Sequence, residues 1–391
     1  MSLPANFDDY RALARRRLPR VLFDYIDGAA GDESAMHASV KALGDVELPQ
    51  RVLRDVSSIS LKTEMFGQVL DMPVVLGPVG MAGMFARRGE LQAHKAARSA
   101  GVTSCLSTLS VCSIEEVSEH SETSPWFQLY MIKDRGYMRN LLQRAQVAGC
   151  TTLVFTVDVS VPGIRYRDIR AGRAGQLGFW GNIRRAFDGV SHPAWLWDVM
   201  AAGRPHDFGN IAAALPQGRS SSDYFSWVRQ SFDASVTWSD IDWIRQHWRG
   251  SIVLKGILHA EDAKLAAAAG VNGIVVSNHG GRQLAAATPP IKALPSVVEA
   301  VEGKCKVLMD GGVRGGLDVL RCLAQGADGV MLGRAWAMAL AARGESGVSH
   351  MLKIIRDELS VSMALAGCTD VTAANQLLRS SSSRPIAEEK A

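Results

Sequence analysis

What this chain lacks narrows its class first. Its six cysteines, Cys105, Cys112, Cys150, Cys305, Cys322 and Cys368, occur singly with no C-x-x-C spacing. Neither a zinc site nor a disulfide framework is signalled. No apolar run reaches the length of a bilayer span. Met1 to Tyr10 is polar and acidic, without the apolar core of a secretion signal, so a cytoplasmic location is expected. A large excess of one charge is also missing. The 43 Lys and Arg against 39 Asp and Glu leave +4, too little to imply a nucleic-acid partner.

What is present fits a soluble globular protein: 47% hydrophobic and 21% charged residues in 391. Residues 5–27 are predicted helical, with Tyr10, Leu13, Leu18, Val21, Leu22 and Tyr25 at roughly helical spacing. Small residues end the helix after Asp24-Tyr25-Ile26-Asp27. Tyr25 there reads as a core or a site residue, and the pattern alone favours core.

From Met72 onward, short apolar runs alternate with helix-like stretches. The runs are Pro73–Pro78, Val102–Leu106, Phe127–Met131, Leu153–Val157, Ile252–Lys255, Gly273–Ser277, Lys306–Asp310 and Gly329–Gly333. Eight alternations predict a (β/α)8 TIM barrel rather than an open sheet, with an N-terminal helical segment before it. A single barrel domain over residues 1–378 is expected, followed by a Ser-rich tail, 379–391, of low complexity. Residues 371–378 read as a last helix.

The ends of the runs are polar and specific. In order they carry Pro78-Val79-Gly80, Ser107, Gln128 with Tyr130, Thr156 with Asp158, Lys255, His279 with Arg282, Asp310-Gly311-Gly312-Val313-Arg314, and Gly333-Arg334. In a barrel all eight strand ends meet at one rim, where catalysis occurs. His279 can move a proton near neutral pH, and Arg282 can hold a carboxylate through its planar fork. A base beside a carboxylate clamp suits removal of hydrogen from carbon next to an acid group. The glycine-rich turns Gly311-Gly312, Gly315-Gly316 and Gly333-Arg334 precede helix-like segments on the last two units, where barrels bind phosphate.

Strands four and five are joined by an unusually long connection, from Asp158 to Ile252. Seven of the nine tryptophans lie in it: Trp180, Trp195, Trp197, Trp227, Trp238, Trp243 and Trp248. Aromatic and basic residues mix around 179–185 and 195–197. That composition suits peripheral contact with a membrane; a lid or subunit contact burying its own tryptophans is the alternative for 171–225. Trp238, Trp243 and Trp248 are expected to pack on the helix that returns to strand five.

The motifs Ser277-Asn278-His279-Gly280-Gly281-Arg282-Gln283-Leu284, Trp126-Phe127-Gln128-Leu129-Tyr130, Phe155-Thr156-Val157-Asp158, Lys255-Gly256 and Asp310-Gly311-Gly312-Val313-Arg314 carry a resemblance. From Tyr25 to Cys368 the chain resembles the FMN-dependent L-2-hydroxy acid dehydrogenase and oxidase family, which includes glycolate oxidase and mandelate dehydrogenase. Within it, Leu106–Cys112, Pro162–Asp168 and Gly203–Asn210 are most similar to the bacterial membrane-associated L-lactate dehydrogenases.

The resemblance implies roles. His279 would be the base at the substrate, oriented by Asp158. Arg282 and Arg165 would clamp the substrate carboxylate, helped by Tyr25, and Tyr130 would bond the α-hydroxyl. Lys255 would sit at the edge of the FMN where negative charge develops. Ser107, Gln128 and Thr156 would bond the isoalloxazine, and Pro78, Val79 and Gly80 would present backbone to it. Arg314, Gly333 and Arg334 would hold the phosphate, with Ser277, Asp310, Gly311 and Gly312 completing the cofactor site. The same residues serve a hydride or a carbanion route. A quinone or other carrier would accept the electrons, and a homo-tetramer is implied.

Two positions depart from the family pattern. Ala285 stands where an Asp usually follows the motif, which predicts altered affinity or rate, or inactivity. Gly80 replaces the alanine of the oxidases and goes with poor oxygen reactivity. With Leu109 in place of a bulky aromatic, it leaves room for a side chain larger than lactate's methyl. L-Lactate is the expected substrate. The alternatives are (S)-mandelate, an oxidase using oxygen, an FMN-dependent isomerase (disfavoured by the clamp) and a flavin-binding protein without turnover.

Overall fold

The computed structural model describes residues 3–121, 123–171, 179–212 and 230–378. Residues 172–178 and 213–229, the side chain of Trp180, Trp227 and the tail 379–391 lie outside this description.

Eight parallel strands close into the expected barrel. They are β1 (Val74–Leu76), β2 (Thr103–Ser107), β3 (Trp126–Leu129), β4 (Thr152–Thr156), β5 (Ser251–Ile257), β6 (Gly273–Val276), β7 (Lys306–Met309) and β8 (Gly329–Leu332). Each pairs with the next, and β8 returns to β1 with Val330 opposite Val74 and Leu332 opposite Leu76. Nearly every strand residue is buried. A strand covered on both faces by barrel interior and helices can be apolar throughout, so these segments read as continuous runs.

Side chains two apart share a face. One set, Val75, Cys105, Trp126, Val154, Val253, Val275, Leu308 and Met331, forms a separate apolar cluster inside the barrel. A short hairpin, Thr63–Met65 with Gln68–Leu70, adds Met65 and Leu70 to that cluster and lays Phe66 against it. Phe66 packs edge-on against Trp126 with ring centres 5.3 Å apart. The hairpin therefore closes the floor.

The N-terminal segment is two helices, Phe7–Arg17 and Arg20–Asp27, rather than one. Pro19 forces the break: it disfavours helical backbone in the residue before it, and Leu18 is extended (φ −91, ψ 142). The first helix lies along the C-terminal helical segment Arg334–Ala366, which is broken at Arg343-Gly344, and there the Tyr10 hydroxyl meets His350 Nδ1 at 2.8 Å. The second carries Tyr25 to the barrel mouth. At the other end, 371–378 begins as a 3-10 turn, Val371–Ala373, instead of the expected regular helix.

In the long connection the tryptophans divide. Trp195 is buried, its indole N–H donating to the Met84 carbonyl at 2.8 Å. Trp248 is buried and donates to Ser251 O at 3.1 Å, and Trp243 stacks on His247. Trp238, at the start of that helix, is 38% exposed. Trp197 is 73% exposed, with Ile183, Phe187 and Val190 exposed on one face of helix Phe179–Val190. Of the described residues that suggested a lipid surface, only part remains available for one. Among the described residues no helix is long and apolar enough to cross a membrane.

Candidate active site

Two residues beyond each floor residue, on the same inward face, stand Gly77, Ser107, Gln128, Thr156, Lys255, Ser277, Asp310 and Gly333. Every one is polar, charged or glycine, and together they lead up to a cavity of about 550 Å³ at the strand ends.

His279 projects into this cavity from the turn after β6. Its backbone is left-handed (φ +57), a conformation costly for a residue with a side chain. Ser277 Oγ accepts the His279 N–H at 3.0 Å, and Asn278 accepts the Gly281 N–H at 3.0 Å while donating to Ser39 Oγ at 2.9 Å. A side chain on Gly281 would stand 2.6 Å from the Met36 nitrogen, so the turn requires glycine there. The result aims His279 Nδ1 at Asp158 Oδ1, 3.0 Å away just past β4. Burial alone would raise the Asp158 pKa; His279 and Lys255 outweigh it and hold the carboxyl below its ordinary range. An ionised Asp158 accepts a proton-bearing Nδ1 and leaves Nε2 as the basic nitrogen.

Tyr25, Tyr130, Arg165 and Arg282 line the same cavity. Arg282 donates to the carbonyls of Tyr25 (2.7 Å) and Gly28 (2.8 Å), and its guanidinium lies 4.8 Å from the Tyr25 ring centre. Arg165 Nε donates to the Arg282 carbonyl at 3.3 Å. Burial, aided by Tyr25 and Asp158, pushes the Tyr130 hydroxyl well up, so it stays a neutral donor. A residue that sequence reasoning missed, Phe232, stacks on Tyr130 with ring centres 5.0 Å apart. It reaches the cavity because the returning arm of the long connection pairs with the segment after β3, Ile132 opposite Phe232. No local pattern marks that pairing.

On the opposite side Lys255 Nζ reaches Asp310 Oδ2 (2.6 Å) and Ser277 Oγ (2.8 Å). Burial would lower the lysine's pKa; Asp310 and Asp158 overcome it and raise it. Gln128 links Ser107 (3.1 Å) to Thr156 (3.0 Å). Gln128 and Ser277 belong to the inward layer but are covered by neighbours and form none of the cavity wall. Gly311 and Gly312 follow β7 with φ of +93 and +103. Arg314 and Arg334 close this end. Burial lowers Arg314 to about 10. Burial, then the charges of Arg314 and Arg282, carry Arg334 well down.

One expectation fails here: the helix start at Gly315-Gly316 is not open to phosphate. Its amides already donate to carboxylates, Gly316 N–H to Glu358 at 2.6 Å and Gly315 N–H to Asp318 at 3.3 Å.

The chain matches the family of FMN-dependent dehydrogenases over residues 14–380. It belongs to that family. This FMN-dependent dehydrogenase is 53% identical over 359 residues to an L-lactate dehydrogenase of Stenotrophomonas maltophilia (strain R551-3), covering 92% of this chain and 94% of the relative. It is 52% identical over 370 residues to one of Caulobacter vibrioides (strain NA1000 / CB15N), covering 95% and 96%. Among solved structures it is similar to the monotopic membrane protein (S)-mandelate dehydrogenase, with TM-score 0.88 and 35% identity over 95% of this chain and 98% of that one. A mandelate oxidase follows at TM-score 0.81 and 37% identity, over 96% and 98%.

The residues of the dehydrogenase fit FMN. Arg314 and Arg334, both half-buried, repel one another, and an anion such as the phosphate would offset that charge, with Arg334 held in place by the carbonyls of Ile26, Gly28 and Gly280. Asp310 Oδ1 is buried without a hydrogen-bond partner, as suits an oxygen awaiting a donor such as a polyol hydroxyl. Gly333 has open space where a side chain would lie. The two departures also take definite places. A methyl on Gly80 would come within 3.3 Å of the Tyr25 hydroxyl and 3.4 Å of Leu109 Cβ. Ala285 lies outside the cavity wall, against the Gly31–Ser34 segment, where its carbonyl accepts from Ser34 Oγ at 2.9 Å. Arg282 is held by two backbone carbonyls, so its placement does not depend on a carboxylate at 285.

Proposed function

We propose that the enzyme oxidises an L-2-hydroxy acid to the 2-oxo acid, with L-lactate to pyruvate the preferred reaction. The observation that carries this is the joining, in one cavity, of a carboxylate-oriented histidine with two arginines beside a cofactor cradle. Oxidation of lactate removes two electrons and two protons. FMN, when bound, would take up both electrons and one of the protons. His279 Nε2 takes one proton, and Asp158 stabilises the imidazolium. Arg165 and Arg282 hold the carboxylate with the Tyr25 hydroxyl, and Tyr130 donates to the substrate oxygen. Lys255 would offset the negative charge that the cofactor gains on reduction. Pro78, Val79 and Gly80 would present backbone to the ring; Ser107 and Thr156 would fix its polar edge, held by Gln128 behind them, as Ser277 holds Lys255. Asp310, Gly311, Gly312, Arg314, Gly333 and Arg334 hold the ribityl and phosphate. The acceptor is a quinone or other carrier rather than oxygen, which Gly80 supports.

The long connection acts as a lid or membrane-contact segment of a barrel domain spanning 1–378, in a homo-oligomer of tetramer size. The exposed Phe187 and Trp197 favour the membrane. Phe187→Ser with Trp197→Ser should release the enzyme from sedimenting anionic vesicles; unchanged binding overturns that contact.

A second reading, (S)-mandelate as substrate, is favoured by Leu109 in the cavity wall, where a bulky aromatic would leave less space. Anaerobic mixing of the holoenzyme with each acid decides between them. Rapid bleaching of the flavin band by lactate, with slow reoxidation in air, is expected. Faster bleaching by mandelate selects the second reading, and bleaching by neither overturns both.

A further inference from the structure

Arg165 sits on a loop, and its position relative to Tyr25 and Arg282 has to be set by something. Its own guanidinium does little of this, with one bond to the Arg282 carbonyl and a 3.5 Å approach to Asp168. On the N-terminal side of Arg165 the loop is pinned by backbone: Gly31 N–H donates to Ile164 O at 2.9 Å, and Gly163 N–H to the Gln283 side chain at 3.1 Å. On the C-terminal side the pin is a charge cluster outside the cavity wall. Arg167 Nη1 donates to Asp27 (2.8 Å) and Nη2 to Glu33 (2.7 Å), with Asp24 3.7 Å away. Asp27 also takes both bonds of Arg11, at 2.5 and 2.8 Å, and Glu33 accepts the Ala29 N–H at 3.1 Å.

The spacing in the chain gives this cluster its meaning. Asp27 lies two residues after Tyr25, and Arg167 two residues after Arg165. The guanidinium therefore ties together the two segments that bear opposite members of the carboxylate clamp. Asp27 is nearly buried, with 6% of its side chain exposed, so this bridge is screened far less than a surface pair. A planar fork reaching two carboxylates fixes direction as well as distance.

We propose that Arg167 is a positioning residue for the substrate carboxylate, latching the Arg165 loop to the Tyr25 segment through Asp27 and Glu33. This rests on the clamp reading given above. Arg167 touches neither substrate nor cofactor; it acts through Arg165 and Tyr25.

The test compares holoenzyme of wild type, Arg167→Met, which keeps the apolar stem, and Arg167→Lys. KM and kcat for L-lactate are measured beside FMN content, melting temperature and the Kd of oxalate, a non-oxidisable dicarboxylate, from its perturbation of the flavin spectrum. Misplacing a binding group by a fraction of an ångström predicts that KM and the oxalate Kd rise about tenfold in Arg167→Met, with kcat within about threefold. Arg167→Lys, which keeps one charged bond but not the fork, should recover part of the loss. Unchanged KM and oxalate Kd overturn the latch, even if melting falls. So does a loss confined to kcat, or a Lys variant no better than Met. If wild type turns over neither lactate nor mandelate, the functional reading fails, and oxalate affinity alone still decides the latch. Oxalate that does not bind wild type overturns both.

Discussion

The barrel has a floor and a rim built on one repeat, and they differ in every physical respect. Both consist of inward-facing side chains from the same eight strands, two residues apart. At the floor those side chains are Val, Leu, Met, Cys and Trp, closed by Met65, Leu70 and Phe66. At the rim they are Ser, Gln, Thr, Lys, Asp and Gly. Burying apolar surface stabilises the fold by roughly 25 cal/mol per Å². Burying the ammonium of Lys255, the carboxylates of Asp158 and Asp310 and two guanidiniums opposes folding unless each finds a partner. The floor therefore supplies stability, and the rim spends part of it on groups held ready for cofactor and substrate. Substitutions at the two levels should separate cleanly into stability and activity.

The largest separation is expected at Asp158. Asp158→Asn keeps the shape but removes the charge that stabilises imidazolium and the acceptor that sets the tautomer. Turnover should fall by about 10³ to 10⁴-fold. Flavin content should stay intact, because the groups proposed to cradle the phosphate and ribityl follow β7 and β8. Flavin reduction followed by stopped flow reads this directly. A fall below tenfold would break the assignment of Asp158 as the group that orients His279. The pH dependence has a fixed sign. A carboxyl held below its ordinary value, 3.8, contributes stability above that value and loses it as pH falls through the lower folded value. Wild type should therefore lose more stability than Asp158→Asn on acidification below about pH 4.

The contrast of floor and rim also explains what could be read from the chain. The strands were legible because burial on both faces makes them continuous apolar runs, and their ends because polar residues interrupt those runs where the rim begins. His279, Arg282 and Asp158 were accessible for that reason. Phe232 was not, since it reaches the cavity only through the pairing of Ile132 with a distant arm. Glu358 was hidden similarly: nothing near Gly316 in sequence announces a carboxylate from the last helix at its amide. The helical period across residues 5–27 survives the break at Pro19 because both pieces bury residues of the same register, Tyr10 and Ala14, then Leu22 and Ile26. The hairpin at 63–70 is too short for any periodicity to register.

A floor substitution should show the reverse pattern. A Cβ on Gly273 would stand 2.6 Å from Phe66 Cζ and 3.2 Å from the Lys306 carbonyl. Gly273→Ala should destabilise by about 1 to 3 kcal/mol through overpacking, with KM and kcat of the folded enzyme unchanged. Chemical denaturation of the holoenzyme measures it. Adding Phe66→Leu should recover part of the loss, because the two substitutions share one contact and cannot be additive. A Gly273→Ala enzyme of normal stability but altered KM would show that floor and rim are coupled.

The smallest effect sharpens the comparison most, because it concerns a group that stability alone would remove. Arg314 is half-buried against the Phe7 ring, 4.5 Å from its centre, and its folded-state pKa is lowered to about 10 from 12.5. A cationic group depressed in this way binds fewer protons folded than unfolded between those values. Stability without the anion should therefore rise as pH climbs through that window, and the full cost applies at neutral pH. A bound phosphate reverses the balance by giving the charge a partner. Arg314→Met should thus leave the melting temperature of the flavin-free protein equal or higher, yet weaken FMN binding about tenfold, the order expected for one charge-assisted bond to phosphate. Fluorescence quenching gives the affinity, and the rise in melting temperature on adding FMN should shrink accordingly. If the flavin-free variant is instead less stable than wild type, Arg314 is a packing residue of the floor's kind.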